Sequence, residues 1–119
     1  MLKTENSKQY NLEDRTLEFA KKVRVFVSNL PKTISNIEDG KQVIRSSGSV
    51  GANYIEANES LSKKDFVMRI KICRKEAKES RFWLELISVN SELELDRNEL
   101  ANEAKELMMI FSSIMRKSV

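Results

Sequence analysis

Apolar residues recur at spacings of three and four in four stretches of this chain, and each stretch predicts an amphipathic helix. The first apolar stripe consists of Phe19, Val23, Phe26 and Leu30. Asn11 or Asp14 can cap the start of this helix. Pro31 marks its end, because the residue before a proline avoids helical backbone angles. The polar, aperiodic residues that come first predict a flexible N-terminal arm over residues 1–11.

A second helix is predicted from Ser35 or Asn36 to Asn58. It contains the three glycines of the chain, Gly40, Gly48 and Gly51. Each glycine costs a helix about 1 kcal/mol relative to alanine, so we expect close approach of a neighbouring helix as compensation. A break in the helix between Ser46 and Gly51 is the alternative.

This second helix has two distinctive faces. One face carries small and apolar residues at Ile37, Gly40, Ile44, Ser47, Gly51 and Ile55. The other, nearly opposite at ~100° per residue, carries Arg45, Ser49, Asn53 and Glu56. These polar groups either lie in solvent or are partly buried, and buried polar groups need partners. The candidate partners on the next helix are Lys75, Glu76 and Glu79. We therefore predict a structural or interface network of Arg45, Ser49, Asn53, Glu56, Glu76 and Glu79.

The third helix starts at a capping motif, Ser62 followed by Asp65, and is predicted to run to Val89 or Asn90. Its core stripe consists of Phe66, Ile70, Cys73, Ala77, Leu84 and Ile87. Ser80 lies on the same stripe and is expected to bond back to its own helix.

The fourth helix is predicted from Asn98 to Arg116, after a connection at Leu93–Asp96. Its apolar stripe consists of Leu100, Ala104, Leu107, Ile110 or Phe111, and Ile114. No segment alternates apolar and polar residues with a period of two for long enough to predict a strand. The predicted fold class is therefore all-α, an up-down-up-down four-helix bundle that forms a single domain over residues 12–119.

The third helix also carries a basic stripe that spans an arc of ~120°. Its members are Lys63, Lys64, Lys71, Arg74, Lys75, Lys78 and Arg81. The stripe is either an ordinary solvated face with i,i+4 pairs or a surface that contacts phosphates. Few acids oppose it, and repetition in an oligomer would strengthen its field. On the functional interpretation, the stripe is a surface that contacts RNA or DNA phosphates.

Apolar side chains lie off the core stripe of the third helix as well, at Met68, Ile72, Trp83 and Leu86. Trp83 is either an interface aromatic, since tryptophan is enriched where subunits meet, or a partly exposed residue at the end of the bundle. The helix has more apolar surface than one bundle needs, which predicts a homo-oligomer.

Composition narrows the chemistry further. The chain has 119 residues, a net charge of +3 and no histidine, so imidazole acid–base catalysis is excluded. Its single cysteine, Cys73, lies on the core stripe and is expected to be an inert buried thiol. Glu76 and Glu79 are more typical of pairing with nearby cations than of metal binding. We predict no catalytic residue, no cofactor and no metal.

One cysteine excludes an intrachain disulfide and favours a reducing compartment. No apolar run reaches the roughly 18 residues of a membrane span, and the N-terminal residues lack the apolar core of a signal peptide. We therefore predict a cytoplasmic location and no membrane partner.

Two consecutive segments carry a family resemblance, RSSGSVGANYIEANESLSKKDF and KICRKEAKESRFWLELI. They resemble the 23S rRNA intervening sequence protein family, also described as S23-type four-helix bundle proteins, and LEFAKKVRVFVSNLPKT is similar to that family's first helix and turn. The matching positions are Arg45, Ser49, Val50, Asn53, Glu56, Asp65, Phe66, Lys75, Glu76, Glu79, Trp83 and Leu84. Gly48 departs from the pattern, where a larger residue is expected.

This resemblance implies a four-helix protomer that assembles as a ring-like homopentamer. Members are encoded within inserts in ribosomal RNA genes or elsewhere in bacterial genomes, and their molecular role is largely undefined. A related branch, the accessory proteins of diversity-generating retroelements, implies nucleic acid and a reverse transcriptase as partners. The family has no catalytic residues to carry over, so the matched polar positions are expected to be structural or interface residues. Together with the basic stripe, the resemblance predicts a non-enzymatic RNA- or DNA-binding accessory protein, with a protein-binding scaffold as the alternative.

Overall fold

Residues 11–118 are described by the computed structural model, and they form four helices and no strand. The helices are α1 (Leu12–Ser28), α2 (Ile34–Asn58), α3 (Lys63–Leu86) and α4 (Ser91–Lys117). The predicted all-α class with four helices is confirmed. Residues 1–10, most of the predicted arm, lie outside the described residues. None of the four helices is both long enough and apolar enough to cross a membrane.

Each helix begins at a polar side chain that accepts a hydrogen bond from the first turn. The caps are Asn11, Thr33, Ser62 and Asn90. Asn11 Oδ1 accepts from the amide of Asp14 at 3.1 Å, and Ser62 Oγ accepts from the amide of Asp65 at 3.1 Å. Caps of this kind satisfy backbone N–H groups that have no partner within the helix.

The cap at Asn90 corrects the predicted start of α4. Its Oδ1 accepts from the amide of Leu93 at 3.2 Å, so Leu93–Asp96, predicted as a connection, belongs to the helix. Glu92 and Glu94 in the first turn suit the positive end of the helix dipole. The prediction that α3 reaches Val89 or Asn90 is also wrong, because α3 ends at Leu86 and leaves room for the turn.

Successive helices pack against each other in antiparallel fashion. Near the start of α1, Thr16 lies against Gly51 late in α2, whereas Val27 at the end of α1 lies against Gly40 early in α2. Between α2 and α3, Arg45 contacts Glu76, whereas Asn53, later in α2, contacts Arg69, earlier in α3. α1 also contacts α4, which closes the bundle.

Arg15 joins α1 to α4 through a fork of charge-assisted hydrogen bonds. Its Nε donates to Glu103 Oε2 at 2.7 Å and its Nη2 to Glu103 Oε1 at 2.8 Å. A further bond runs from Nη2 to Glu106 Oε1 at 2.9 Å. The hydrogen bonds to Glu103 raise the pKa of the guanidinium further above its ordinary value. Bidentate pairs of this kind fix geometry as well as contributing stability.

Large apolar side chains from all four helices fill the core. The largest fully buried ones include Phe19, Val43, Ile70, Leu84, Leu107 and Phe111. The predicted apolar stripe of α1 is confirmed, since Phe19, Val23, Phe26 and Leu30 are all buried. In α4, Phe111 is buried and Ile110 is only half-buried, which decides the alternative left open there.

The small, apolar face of α2 is only partly buried. Ile37 and Ile55 remain 43% and 46% exposed, and α2 instead buries Val43, Val50 and Ala57. α2 lies between α1 and α3, so its buried arc is centred between these two neighbours. The small, apolar face lies on the α1 side of this arc, so Ile37 and Ile55 are at its outer edge.

α2 is continuous from Ile34 to Asn58, so the alternative of a break near Ser46–Gly51 is wrong. Close approach of α1 is confirmed at two of the glycines. A Cβ atom at Gly40 would lie 2.9 Å from Val27 Cγ1, and one at Gly51 would lie 2.8 Å from Thr16 Oγ1. At Gly48 a Cβ atom would meet nothing within 4 Å, so packing does not require that glycine.

Candidate nucleic-acid interface

The basic stripe lies on the outer side of α3. Its lysines, Lys63, Lys64, Lys71, Lys75 and Lys78, are exposed, and Arg74 and Arg81 are half-buried. The helix buries a different side, at Ile70, Cys73 and Ala77, against the core. The 3.6-residue helical repeat therefore separates an apolar inner face from a cationic outer face.

Few carboxylates neutralise this stripe. Lys75 Nζ lies 3.9 Å from Glu79 Oε2, and Arg81 Nε lies 3.2 Å from Glu85 Oε2. Such exposed i,i+4 pairs contribute little stability. Among residues 11–118, no carboxylate lies within 4.0 Å of the remaining cations, Lys63, Lys64, Lys71, Arg74 and Lys78. The stripe thus keeps most of its charge available, and its role in binding nucleic acid stays a prediction.

The predicted polar network joins α2 to α3 at Arg45. Its Nη1 lies 3.4 Å from Glu76 Oε1 and its Nη2 lies 3.5 Å from Glu79 Oε1. The side chain of Glu76 is only 10% exposed, whereas that of Arg45 is 54% exposed. Arg45 therefore covers a nearly buried carboxylate from the solvent side. Lys75, the third candidate partner, contacts Glu79 and not Arg45.

Asn53 and Ser49 form a second polar cluster, with a partner that the sequence did not reveal. Asn53 Nδ2 donates to the Ser49 carbonyl at 2.9 Å and to its Oγ at 3.0 Å. Arg69 of α3 then donates from Nη1 to Asn53 Oδ1 at 2.9 Å. Both Ser49 and Asn53 are half-buried. Glu56 is exposed and belongs to neither cluster, so the predicted network divides into two groups and leaves Glu56 out.

A buried pair of hydroxyls lies deeper in the same interface. Ser46 Oγ and Ser80 Oγ are 2.8 Å apart, and both residues are fully buried. The prediction that Ser80 bonds back to its own helix is therefore wrong, because a second hydroxyl across the interface is within reach. Ser46 lies between the two faces that the sequence marked on α2, so neither pattern singled it out.

Trp83 is half-buried and packs against the core, with Phe82 beside it. The two rings make an edge-to-face pair with centroids 5.1 Å apart. Phe82 is 57% exposed, and Met68 and Leu86 on the same helix are 49% and 51% exposed. α3 therefore presents apolar side chains next to its cations. The role of Trp83 at a subunit interface stays a prediction.

Cys73 is fully buried, as predicted from its place on the core stripe. Its thiol donates to the carbonyl of Val50 at 3.4 Å. Burial removes water from the thiol and raises its pKa to about 12. A protonated thiol is a poor nucleophile, so Cys73 has the properties of a packing residue.

Comparison with known proteins identifies the family. The family profile described as 23S rRNA-intervening sequence protein matches residues 8–113. Among solved structures, the chain resembles a protein of unknown function from the S23 ribosomal protein family of Bacteroides thetaiotaomicron VPI-5482. The TM-score is 0.72 at 29% identity, and the match covers 87% of this chain and 94% of that protein. No curated protein matches the chain. With four helices in place and a profile match over most of its length, the chain belongs to the 23S rRNA-intervening sequence protein family.

Proposed function

We propose that this protein is a non-enzymatic accessory protein that binds RNA through the basic stripe of α3 and acts as a homo-oligomer. The observation that carries the proposal is the row of exposed α3 lysines, of which only Lys75 has a carboxylate within 4.0 Å among residues 11–118. When unpaired cations on one face neutralise phosphates, the counterions condensed on the nucleic acid are released, and this release drives binding. Membership in a family named for an intervening sequence of rRNA makes RNA the first ligand to test.

The homo-oligomer rests on the apolar side chains that α3 leaves uncovered. Phe82, Met68 and Leu86 are about half exposed beside the half-buried Trp83. If neighbouring copies of the chain cover these side chains, one assembly carries several basic stripes. Their summed positive potential then attracts RNA more strongly than one stripe does. Light scattering should give a solution mass of several chains, and five is the number that the family resemblance implies. The mass of a single chain would contradict this part of the proposal.

RNA binding is tested with a fluorescently labelled RNA hairpin and anisotropy titrations over a range of salt concentrations. We expect binding that weakens steeply as salt rises, because phosphate contacts depend on counterion release. Replacement of Lys71, Lys75 and Lys78 by Glu should abolish it. The matched control replaces the exposed Lys21, Lys22 and Lys32 by Glu, which changes the net charge equally on other parts of the surface. Absence of binding by the unmodified protein at low salt would end the proposal.

A protein-binding scaffold is the second candidate, and the exposed edge formed by Phe82 and Leu86 favours it. Exposed aromatic and aliphatic side chains are typical anchors of protein interfaces. This candidate predicts a protein partner that stays bound after nuclease treatment and at raised salt, and that is lost when Phe82 is replaced by Ser.

A further inference from the structure

An open groove of about 370 Å³ lies between α3 and α4. Its walls are Arg81 and Glu85 from α3, and Arg97, Asn98, Asn102 and Lys105 from α4. Ala101, which is almost buried, lies between the two walls and adds only a methyl group. The small side chain at this position leaves the space open.

The groove has an excess of positive charge. Glu85 is the one carboxylate among its lining residues, and it already pairs with Arg81 at 3.2 Å. Within the described part of the chain, no carboxylate lies within 4.0 Å of the cationic atoms of Arg97 or Lys105. Two cations of α4 therefore face the groove without neutralisation.

Arg97 is held in place by bonds that leave part of its guanidinium free. Its Nη1 donates to the Ile87 carbonyl at 3.2 Å, and its Nε donates to Asn98 Oδ1 at 2.9 Å. These bonds involve neither N–H of Nη2, so a ligand can still be bound there. A guanidinium that is already positioned loses less entropy when it binds an oxyanion.

The chemistry of the lining residues points to phosphate. Guanidinium, ammonium and amide N–H groups all donate to phosphate oxygens, and asparagine can also bond to a ribose hydroxyl. The lining residues include no aromatic ring on which a base could stack. Contacts of such groups to phosphate and ribose fix the path of a nucleic acid and carry no sequence information directly.

The groove is continuous with the basic stripe. Arg81 belongs to both, and Arg74 and Lys78 precede it by seven and three residues on nearly the same side of α3. We propose that the α3–α4 groove binds the phosphodiester backbone of RNA whose path continues along the stripe. This inference rests on the proposed function and adds Arg97 and Lys105 of α4 to the contact surface.

The test measures how the affinity for a labelled single-stranded RNA of about twelve nucleotides depends on salt. The slope of log K against log salt is negative, and each lost phosphate contact should make it less steep by about 0.7. The R97Q and K105Q variants should each show this decrease, and the double variant about twice as much. The matched control, K21Q with K22Q on α1, should keep the slope of the unmodified protein. Melting temperatures confirm that each variant is folded.

Arg97 also donates to the Ile87 carbonyl at the end of α3, so R97Q removes a structural bond as well as a cation. A second variant therefore leaves every cation in place. Asn98 is exposed, and Asn98→Glu adds a carboxylate to the wall of the groove while keeping an acceptor for Arg97. RNA affinity should fall about fivefold, because an added anion repels phosphate. The control Q42E adds the same charge at an exposed position of α2 and should leave affinity nearly unchanged.

Two results would overturn the inference while leaving the proposed function intact. One is RNA binding with an unchanged salt slope in the R97Q and K105Q variants. The other is uridine monophosphate binding as tightly as the RNA, which would indicate a site for a free nucleotide. If the unmodified protein binds no RNA at all, the proposed function fails and this inference fails with it.

Discussion

Gly51 of α2 faces Thr16 of α1 with no room for a side chain between them. A Cβ atom at Gly51 would lie 2.8 Å from Thr16 Oγ1 and 3.2 Å from Thr16 Cβ. Thr16 cannot turn away easily, because it is 1% exposed and its hydroxyl donates to the Leu12 carbonyl at 2.8 Å. Its branched side chain is also stiff in a helix.

Substitution of the glycines should therefore have opposite effects at two positions three residues apart. Gly51→Ala should lower the free energy of unfolding by about 1–3 kcal/mol, because overpacking forces the helices apart. Gly48→Ala should raise it by up to about 1 kcal/mol, because nothing lies within 4 Å of the new Cβ atom and alanine favours the helix. Urea denaturation followed by circular dichroism measures both. A stabilised Gly51→Ala variant would contradict the close contact.

The hydroxyls of Ser46 and Ser80 should be energetically coupled. Ser46→Ala leaves Ser80 without its partner 2.8 Å away in a fully buried site, which should cost about 1–3 kcal/mol. The double variant should cost less than the sum of the two single variants, because it leaves no unpaired hydroxyl at this position. A double-mutant cycle of unfolding free energies measures the coupling. Additive effects would show that the hydroxyl bond contributes nothing.

Arg15 should stabilise the α1–α4 contact through its fork on Glu103. Arg15→Lys keeps the charge but cannot form two parallel bonds, so we expect a loss of about 1–2 kcal/mol in the free energy of unfolding. The difference from the unmodified protein should shrink at about 1 M salt, because ions screen the charge. Lys21→Arg, an exposed position on the same helix, serves as the control. A fully stable Arg15→Lys variant would show that the fork is dispensable.

Burial of Cys73 makes stability depend on alkaline pH. The folded-state pKa is about 12 against an ordinary value of 9.0, so the folded protein keeps its thiol proton where the unfolded chain has lost it. The contribution is fully present below pH 9.0 and is lost as the pH rises toward about 12. Cys73→Ala should therefore show a weaker decrease in unfolding free energy over this window, measured by denaturation at each pH. Parallel curves for the two proteins would contradict the shift. The native thiol should also resist alkylation at neutral pH and react once the protein is unfolded.

The number and type of the helices followed from local features of the chain. Phe19, Val23 and Phe26 recur at helical spacing, and Pro31 separates the first two helices. Ser62 marked the start of α3 for the same local reason, since a cap needs only its own first turn. The start of α4 could have been predicted in this way too, because Asn90 and the acids that follow it form a start signal.

Contacts between helices depend on distances that no local pattern contains. The spacing of residues marked Arg45 and Asn53 as unusual, but only the antiparallel packing of α2 on α3 gave them Glu76 and Arg69 as partners. The same packing placed Ser46 opposite Ser80, whereas the packing of α2 on α1 closed over Gly51 and left Gly48 open. Helical periodicity is set within a few turns of one chain segment, so sequence specified the four helices and the basic face of α3. The packing of the whole bundle determines the relative rotation and height of neighbouring helices. These in turn decided which side chains meet, and they placed Arg97 and Lys105 where they extend this basic face across a groove.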